Sequence, residues 1–186
     1  MSTGAAAGST GVPQWKFRWR SWLGVAVVLF LLYGAANLFF AIQVPVMQHS
    51  NGISRAQIVS NEADSAVLGK DITTLAQTDP AMSDYLVAFM DTMCMMMMAF
   101  AILQLGVAWF ALRRGHTWAL WTLAIADIAF IPYLIGWTSV FSNYGLTMGD
   151  SITSFGGFWI FVTIAVAVAT GLGWVGLRKG ATQAVA

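Results

Sequence analysis

Two aspartates, Asp91 and Asp127, lie inside long apolar stretches of this chain. Placing a charged side chain at the centre of a bilayer costs at least ~2.5 kcal/mol, so an ionisable residue there is a functional candidate by default. The chemistry open to such a group is proton uptake, cation binding or recognition of a polar substrate. The two do not form a carboxylate dyad. Counting outward from the tight turn that joins their helices, Asp127 falls level with residues 101–106 and Asp91 level with Trp137 and Thr138. That separates them by on the order of 15 Å along the membrane normal, at 1.5 Å of rise per residue. A shared-proton pair requires contact, and a glycosidase-type pair requires carboxyl groups facing one reacting bond.

Asp127 falls near the bilayer midplane. Gln104 on the second apolar stretch, Tyr33 on the first and Thr163 or Thr170 on the fourth fall within about one helical turn of its depth. Asn37 falls between the two aspartates. Gln104, Asp127, Asn37 and Asp91 therefore read as a polar ladder rising from mid-membrane to the outer face, suited to relaying protons or lining a cleft. The alternative is a set of separate interhelical hydrogen bonds, with Asp127 a neutral structural group. Pro132, shortly after Asp127, removes a backbone donor and predicts a kink that frees a carbonyl near Ile128.

A second chemistry is suggested by Met90-Asp91-Thr92-Met93-Cys94-Met95-Met96-Met97-Met98. Thioether and thiolate are soft ligands that favour Cu(I), and Met90, Cys94 and Met97 share one helical face. Yet methionine also packs flexibly and forms helix well, and a run this dense points sulfur in every direction, so packing is the competing reading. His49 and His116 fall outside the spans on opposite sides, which leaves no paired-histidine haem or zinc site inside them. Cys94 is the only cysteine, so no disulfide closes within the chain. Neither a G-x-S-x-G elbow, a phosphate-cradling glycine loop nor an H-E-x-x-H pair occurs. No cofactor is expected.

These residues need a scaffold, and the composition names it. Hydrophobic residues make up 58% of the 186 and charged residues 9%, about a third of the charge usual in a soluble domain. Four apolar stretches, about 22–44, 85–112, 117–140 and 154–177, are each long enough to cross a hydrocarbon core as a helix. The reading is an all-α membrane protein, an antiparallel four-helix transmembrane bundle over residues 21–178. The first stretch is too long for a signal-peptide core and has no small-residue cleavage site after it, so it reads as a retained anchor.

Charge sets the orientation. Lys16, Arg18 and Arg20, then Arg113 and Arg114, then Arg178 and Lys179 fall on one side of an even-span topology, which the positive-inside rule makes the cytoplasm of an inner, plasma membrane. Tails 1–20 and 179–186 are then cytoplasmic. Trp15, Trp19, Trp22, Trp109, Trp118, Trp121 and Trp174 mark the same interface. A net charge of +1 does not suit general nucleic-acid binding.

The outer loop, 45–81, is too short for its own core and predicts a partly helical cap. An amphipathic helix is expected over Ser54–Leu68, stopping at Gly69, with another turn over Asp71–Gln77. Asp79 then caps a new helix with Pro80 in its first turn. Gly145 and Gly149 predict tight turns in the second outer loop. Gly34-Ala35-Ala36, Gly171-Leu172-Gly173 and Gly176 are small-residue patches suited to close helix contact.

The junction Ala108-Trp109-Phe110-Ala111-Leu112-Arg113-Arg114-Gly115-His116-Thr117-Trp118-Ala119-Leu120-Trp121 resembles the helix–turn–helix junction of small bacterial four-span membrane proteins, DoxX-like ones among them. The resemblance implies a bacterial four-helix bundle and no particular activity.

Three functions fit this reading. The first is a non-enzymatic accessory or assembly subunit of a larger membrane complex, whose partners are the lipid bilayer and either other subunits or further copies of itself. The second is a small oligomeric proton- or cation-linked transporter with Asp127 at its midplane. The third is a lipid-binding protein or membrane enzyme with a cleft open to the bilayer.

Overall fold

A computed structural model of the chain describes residues 17–51, 61–146 and 148–185, which are helical with short connections and, among those residues, contain no strand. The long helices are α1 (Trp22–Asn51), α4 (Pro80–Gly106) and α7 (Met148–Val185); the shorter ones are α2 (Asn61–Leu68), α3 (Leu75–Thr78), α5 (Thr117–Ile128) and α6 (Ile131–Ser142). Among the described residues three segments are long and apolar enough to cross a membrane: Trp22–Ser50, Pro80–Arg114 and Val162–Gly180. The tail up to residue 16 and residues 52–60, which include the first half of the expected amphipathic helix, lie outside the described residues.

The third apolar stretch differs from its expected form as one continuous span. It is two twelve-residue helices, α5 and α6, separated at Ala129 and Phe130. The cause is Pro132 in the first turn of α6, which supplies no amide hydrogen. The backbone stays in the right-handed region through both junction residues, and the Ala129 amide donates to the Ala126 carbonyl at 3.4 Å, so the ladder loosens without unwinding.

The first helix also differs from expectation, which ended it at Val44. It continues through Pro45 to Asn51. A proline inside a membrane helix is tolerated where its surroundings satisfy the freed carbonyl. Gly149 is not a turn residue either; it lies in the first turn of α7, and Gly145, with φ +77°, makes the turn alone.

Helix α1 is central and packs against both α4 and α7, while α5 and α6 lie against α7. The main core gathers Leu23, Val27 and Phe30 of α1, Leu112 after α4, Leu120 and Leu123 of α5, and Ala169 and Leu177 of α7. Close approach of α1 and α7 depends on Gly176: a Cβ there would overlap the Leu23 backbone nitrogen. At Gly173 a Cβ would come within 2.6 Å of Leu120 Cδ1.

This same end carries the basic residues. After α4 the chain makes a π turn (Val107–Ala111) and a 3-10 turn (Leu112–Arg114), then reverses at Gly115 with φ +83°. Arg113 lies 4.4 Å from the Trp109 ring centroid, 5.4 Å from Phe17 and 5.7 Å from Trp19. Arg178 sits 4.4 Å over Trp174, and Lys179 5.7 Å from Trp22. Three separate parts of the chain therefore bring their cations and indole rings together, as an aromatic belt at an interface requires.

Beyond the other end of α4, α2 stops at Gly69, which has φ +63°, as expected. A 3-10 turn (Ile72–Thr74) and α3 follow, and Ile72 and Leu75 pack on Leu86 with Leu68 and Val87. Asp79 caps α4 as expected, its Oδ1 accepting from the Met82 amide at 3.2 Å. Its Oδ2 accepts from Lys70 Nζ at 2.9 Å. The Lys70 hydrogen bond, and then the Met82 amide, hold the Asp79 carboxyl below its ordinary acidity range.

Candidate functional site

Asp127 and Gln104 meet. Asp127 occupies the last turn of α5 and is 2% exposed; Gln104 occupies the last turn of α4 and is 3% exposed. The Gln104 Nε2 group donates to Asp127 Oδ2 at 3.3 Å. The remaining oxygens, Asp127 Oδ1 and Gln104 Oε1, are both buried without a hydrogen-bond partner. Buried polar atoms are almost always paired. Ser83 Oγ and Asp91 Oδ1 are also buried without a partner, but singly, whereas here two orphans fall on one interacting pair, which makes it the candidate binding place.

Helix α1 supplies the site's third wall. Gly34 leaves room for the pair: a Cβ there would stand 3.6 Å from Gln104 Cδ and 3.0 Å from Leu105 Cγ and Cδ2. One turn of α1 presents Tyr33 and Asn37, the Asn37 side chain lying beside the Tyr33 phenol, and the Asp127 carboxyl is an electrostatic neighbour of that phenol. Asn37 is itself buried. Of the expected polar residues, Asp127 and Gln104 thus meet directly, and Tyr33 of α1, with Asn37 beside it, is in electrostatic range of Asp127. Thr170 is occupied within its own helix, its hydroxyl donating to the Val166 carbonyl at 2.7 Å.

Tyr33 also faces a second feature. An apolar cleft of about 200 Å³ runs between α1 and α7, lined by Leu29, Leu32, Tyr33 and Ala36 on one side and by Val162 and Val166 among others on the other. Among the described residues of that lining the tyrosine is the polar one, and it is also within electrostatic range of Asp127.

Asp91 belongs elsewhere. Its Oδ2 lies 2.9 Å from His49 Nε2; the histidine is exposed, whereas Asp91 is half-buried and its Oδ1 is buried without a hydrogen-bond partner. The sequence reading placed His49 beyond the first span and gave it no partner. The signal it lacked was the continuation of α1 through Pro45, which carries His49 along the helix to the level of Asp91. In the methionine run, Cys94 is buried, Met90 and Met97 are half-buried beside it on the same face, and Met95 and Met96 point outward. Among the described residues no three His, Cys, Asp or Glu side chains converge as a metal-binding group.

No family model, curated protein or solved structure matches this chain. The reading of function therefore rests on the geometry just described.

Proposed function

We propose that this is a multi-pass membrane protein in which the four apolar segments form an antiparallel bundle, and that its working centre is the Asp127–Gln104 pair, which takes up and releases a proton or cation during transport across an inner membrane. The observation that carries the reading is the pair's two orphaned oxygens, enclosed in an apolar interior where an unused carboxylate is expensive to keep. The break between α5 and α6 supports it. Asp127 lies just before the junction, and interrupted helices beside a buried polar site recur in secondary transporters, where the interruption turns helix-end dipoles and freed carbonyls toward the bound ion. Tyr33, in electrostatic range of Asp127, and Asn37 beside it are further polar groups of α1, on the Asn51 side of Phe30.

The test is flux in proteoliposomes containing the purified protein and a trapped pH indicator, with an imposed potassium diffusion potential. Wild type is expected to carry protons or a monovalent cation, and Asp127→Asn to abolish the flux while melting like wild type in detergent. Normal flux through the folded asparagine variant would remove Asp127 from any transport role.

A second reading, an accessory subunit of a larger complex, is favoured by a different observation. Gly106, Gly136 and Gly171 have nothing within 4 Å of where a Cβ would stand. Small residues facing outward on membrane helices are surfaces on which another helix can approach closely. Native mass spectrometry of the protein drawn from its own membranes in mild detergent separates the readings: a stoichiometric complex with other chains supports the subunit, and a monomer or homo-oligomer supports the carrier.

A further inference from the structure

The occupant of the Asp127–Gln104 site follows from counting donors and acceptors, an argument that rests on the proposed function and narrows it. An ionised aspartate only accepts hydrogen bonds, and a glutamine side chain offers one acceptor oxygen and an NH₂ group. In the structure the NH₂ group serves Asp127 Oδ2, which leaves Asp127 Oδ1 and Gln104 Oε1 as two acceptors with no donor. A hard metal ion is a poor answer. Magnesium and calcium take six or more oxygens in their coordination shells, and this site has two free ones, with the Tyr33 phenol and Asn37 carboxamide as the further oxygens on α1. A soft ion would need sulfur, and the nearest sulfur on α4, that of Met98, lies six residues away, about 9 Å along the helix axis.

One proton answers both deficits. On Asp127 Oδ1 it turns an acceptor into an O–H donor directed at the partner that lacks one, and it removes the buried charge. The position of Asp127 favours the same outcome. It sits in the C-terminal turn of α5, where the unpaired carbonyls carry partial negative charge and oppose a second negative group. No cation stands against it from the neighbouring helices: Tyr33 is the ionisable group at this level of α1, Gln104 is uncharged, and residues 162–176 of α7 contain no ionisable side chain.

We propose that Asp127 and Gln104 form a carboxylic acid–carboxamide pair that stores one exchangeable proton, with the Asp127 O–H donating to Gln104 Oε1 and the Gln104 N–H donating back to the Asp127 carbonyl oxygen. The coupled ion is then the proton and not a metal cation. Tyr33, which lines the α1–α7 cleft and is an electrostatic neighbour of Asp127, is the ionisable group of α1 nearest to hand for passing that proton on.

The experiment is infrared difference spectroscopy of the full-length protein in lipid vesicles, in H₂O and in D₂O, with sodium, potassium or neither present. A protonated carboxyl C=O band is expected near neutral pH. It should shift in D₂O, disappear in Asp127→Asn, move to higher frequency in Gln104→Leu as its hydrogen bonds are lost, and ignore the choice of cation. Should the asparagine variant fail to fold, the Gln104→Leu shift in aspartate-labelled protein decides the matter alone. An Asp127 signal that is carboxylate at neutral pH, or that responds to sodium or potassium, overturns the inference. The wider reading fails separately: the acid band with flux untouched by Asp127→Asn keeps the proton and removes the carrier, whereas cation-dependent flux lost in Asp127→Asn without the acid band keeps the carrier and removes the proton.

Discussion

The carboxamide of Gln104 donates to Asp127 at 3.3 Å across the α4–α5 contact, although the two residues are separated by the whole turn that reverses the chain. Both are nearly inaccessible, and each keeps one oxygen without a partner. The pair therefore links two helices and also retains unused hydrogen-bonding capacity, a combination that a purely structural contact does not need.

Removing either member alone should expose the other as an unpaired buried group. Interhelical hydrogen bonds in membrane proteins contribute about 0.6 kcal/mol on average and up to about 1.7. Gln104→Leu and Asp127→Leu are each expected to lower stability in detergent by roughly that amount or more, since an orphaned buried group adds its own desolvation penalty. The double variant should lose less than the sum of the two. Additive losses in a thermal or denaturant double-mutant cycle would mean that the contact couples nothing.

Much of this was legible in the sequence because membranes impose few rules and strict ones. Apolar length located the long helices, and counting outward from the turn at Gly115 put Gln104 at the depth of Asp127 before any contact was known. The Asp79 cap and the Gly69 stop followed from residue type alone. What was not legible was rotation and continuity. Periodicity is nearly absent in helices that are apolar on all sides, so facing cannot be read from them. Pro45 and Pro132 show the limit most clearly: the same residue type leaves α1 continuous and separates α5 from α6, and tertiary surroundings decide which. The His49–Asp91 pair was missed for that reason.

Gly34 should tolerate little growth. A Cβ there stands 3.0 Å from the Leu105 side chain, a tight contact with a group that can shift slightly, and 3.6 Å from Gln104 Cδ. Gly34→Ala is expected to cost less than about 1 kcal/mol and Gly34→Val about 1–3 kcal/mol, because overpacking forces off-rotamer side chains. If the Asp127–Gln104 pair matters for flux, the valine variant should also impair transport out of proportion to its stability loss. Melting curves and vesicle flux measured on the same preparations check both.

The Lys70–Asp79 contact predicts a local pH response. The folded-state acidity of Asp79 is stronger than its ordinary value because Lys70 and the Met82 amide favour the carboxylate. A depressed carboxyl contributes stability above its unfolded value and loses that contribution as pH falls through the folded one. The first turn of α4 should therefore stay protected at neutral pH and fray in acid. Lys70→Met removes the leading cause, so the fraying should begin at a higher pH. Hydrogen exchange at the Met82 amide, compared between wild type and Lys70→Met across acid pH, reads this directly; identical profiles would show that Lys70 does not act on Asp79.

Gly176 and Gly171 lie a little over one turn apart on α7 and should behave in opposite ways. A side chain at Gly176 runs into the Leu23 backbone, which cannot move aside without moving α1, whereas one at Gly171 meets open space. Gly176→Val is expected to destabilise the purified protein by about 1–3 kcal/mol or more, and Gly171→Leu to leave its melting curve unchanged. The contrast also bears on the subunit reading. If the outward face at Gly171 receives another helix, the leucine variant should fold normally yet fail to co-purify with its partner, because close backbone approach is what small residues provide there. Wild-type levels of complex with Gly171→Leu would show that this face receives no partner and would move the contact to the open glycines at Gly106 or Gly136.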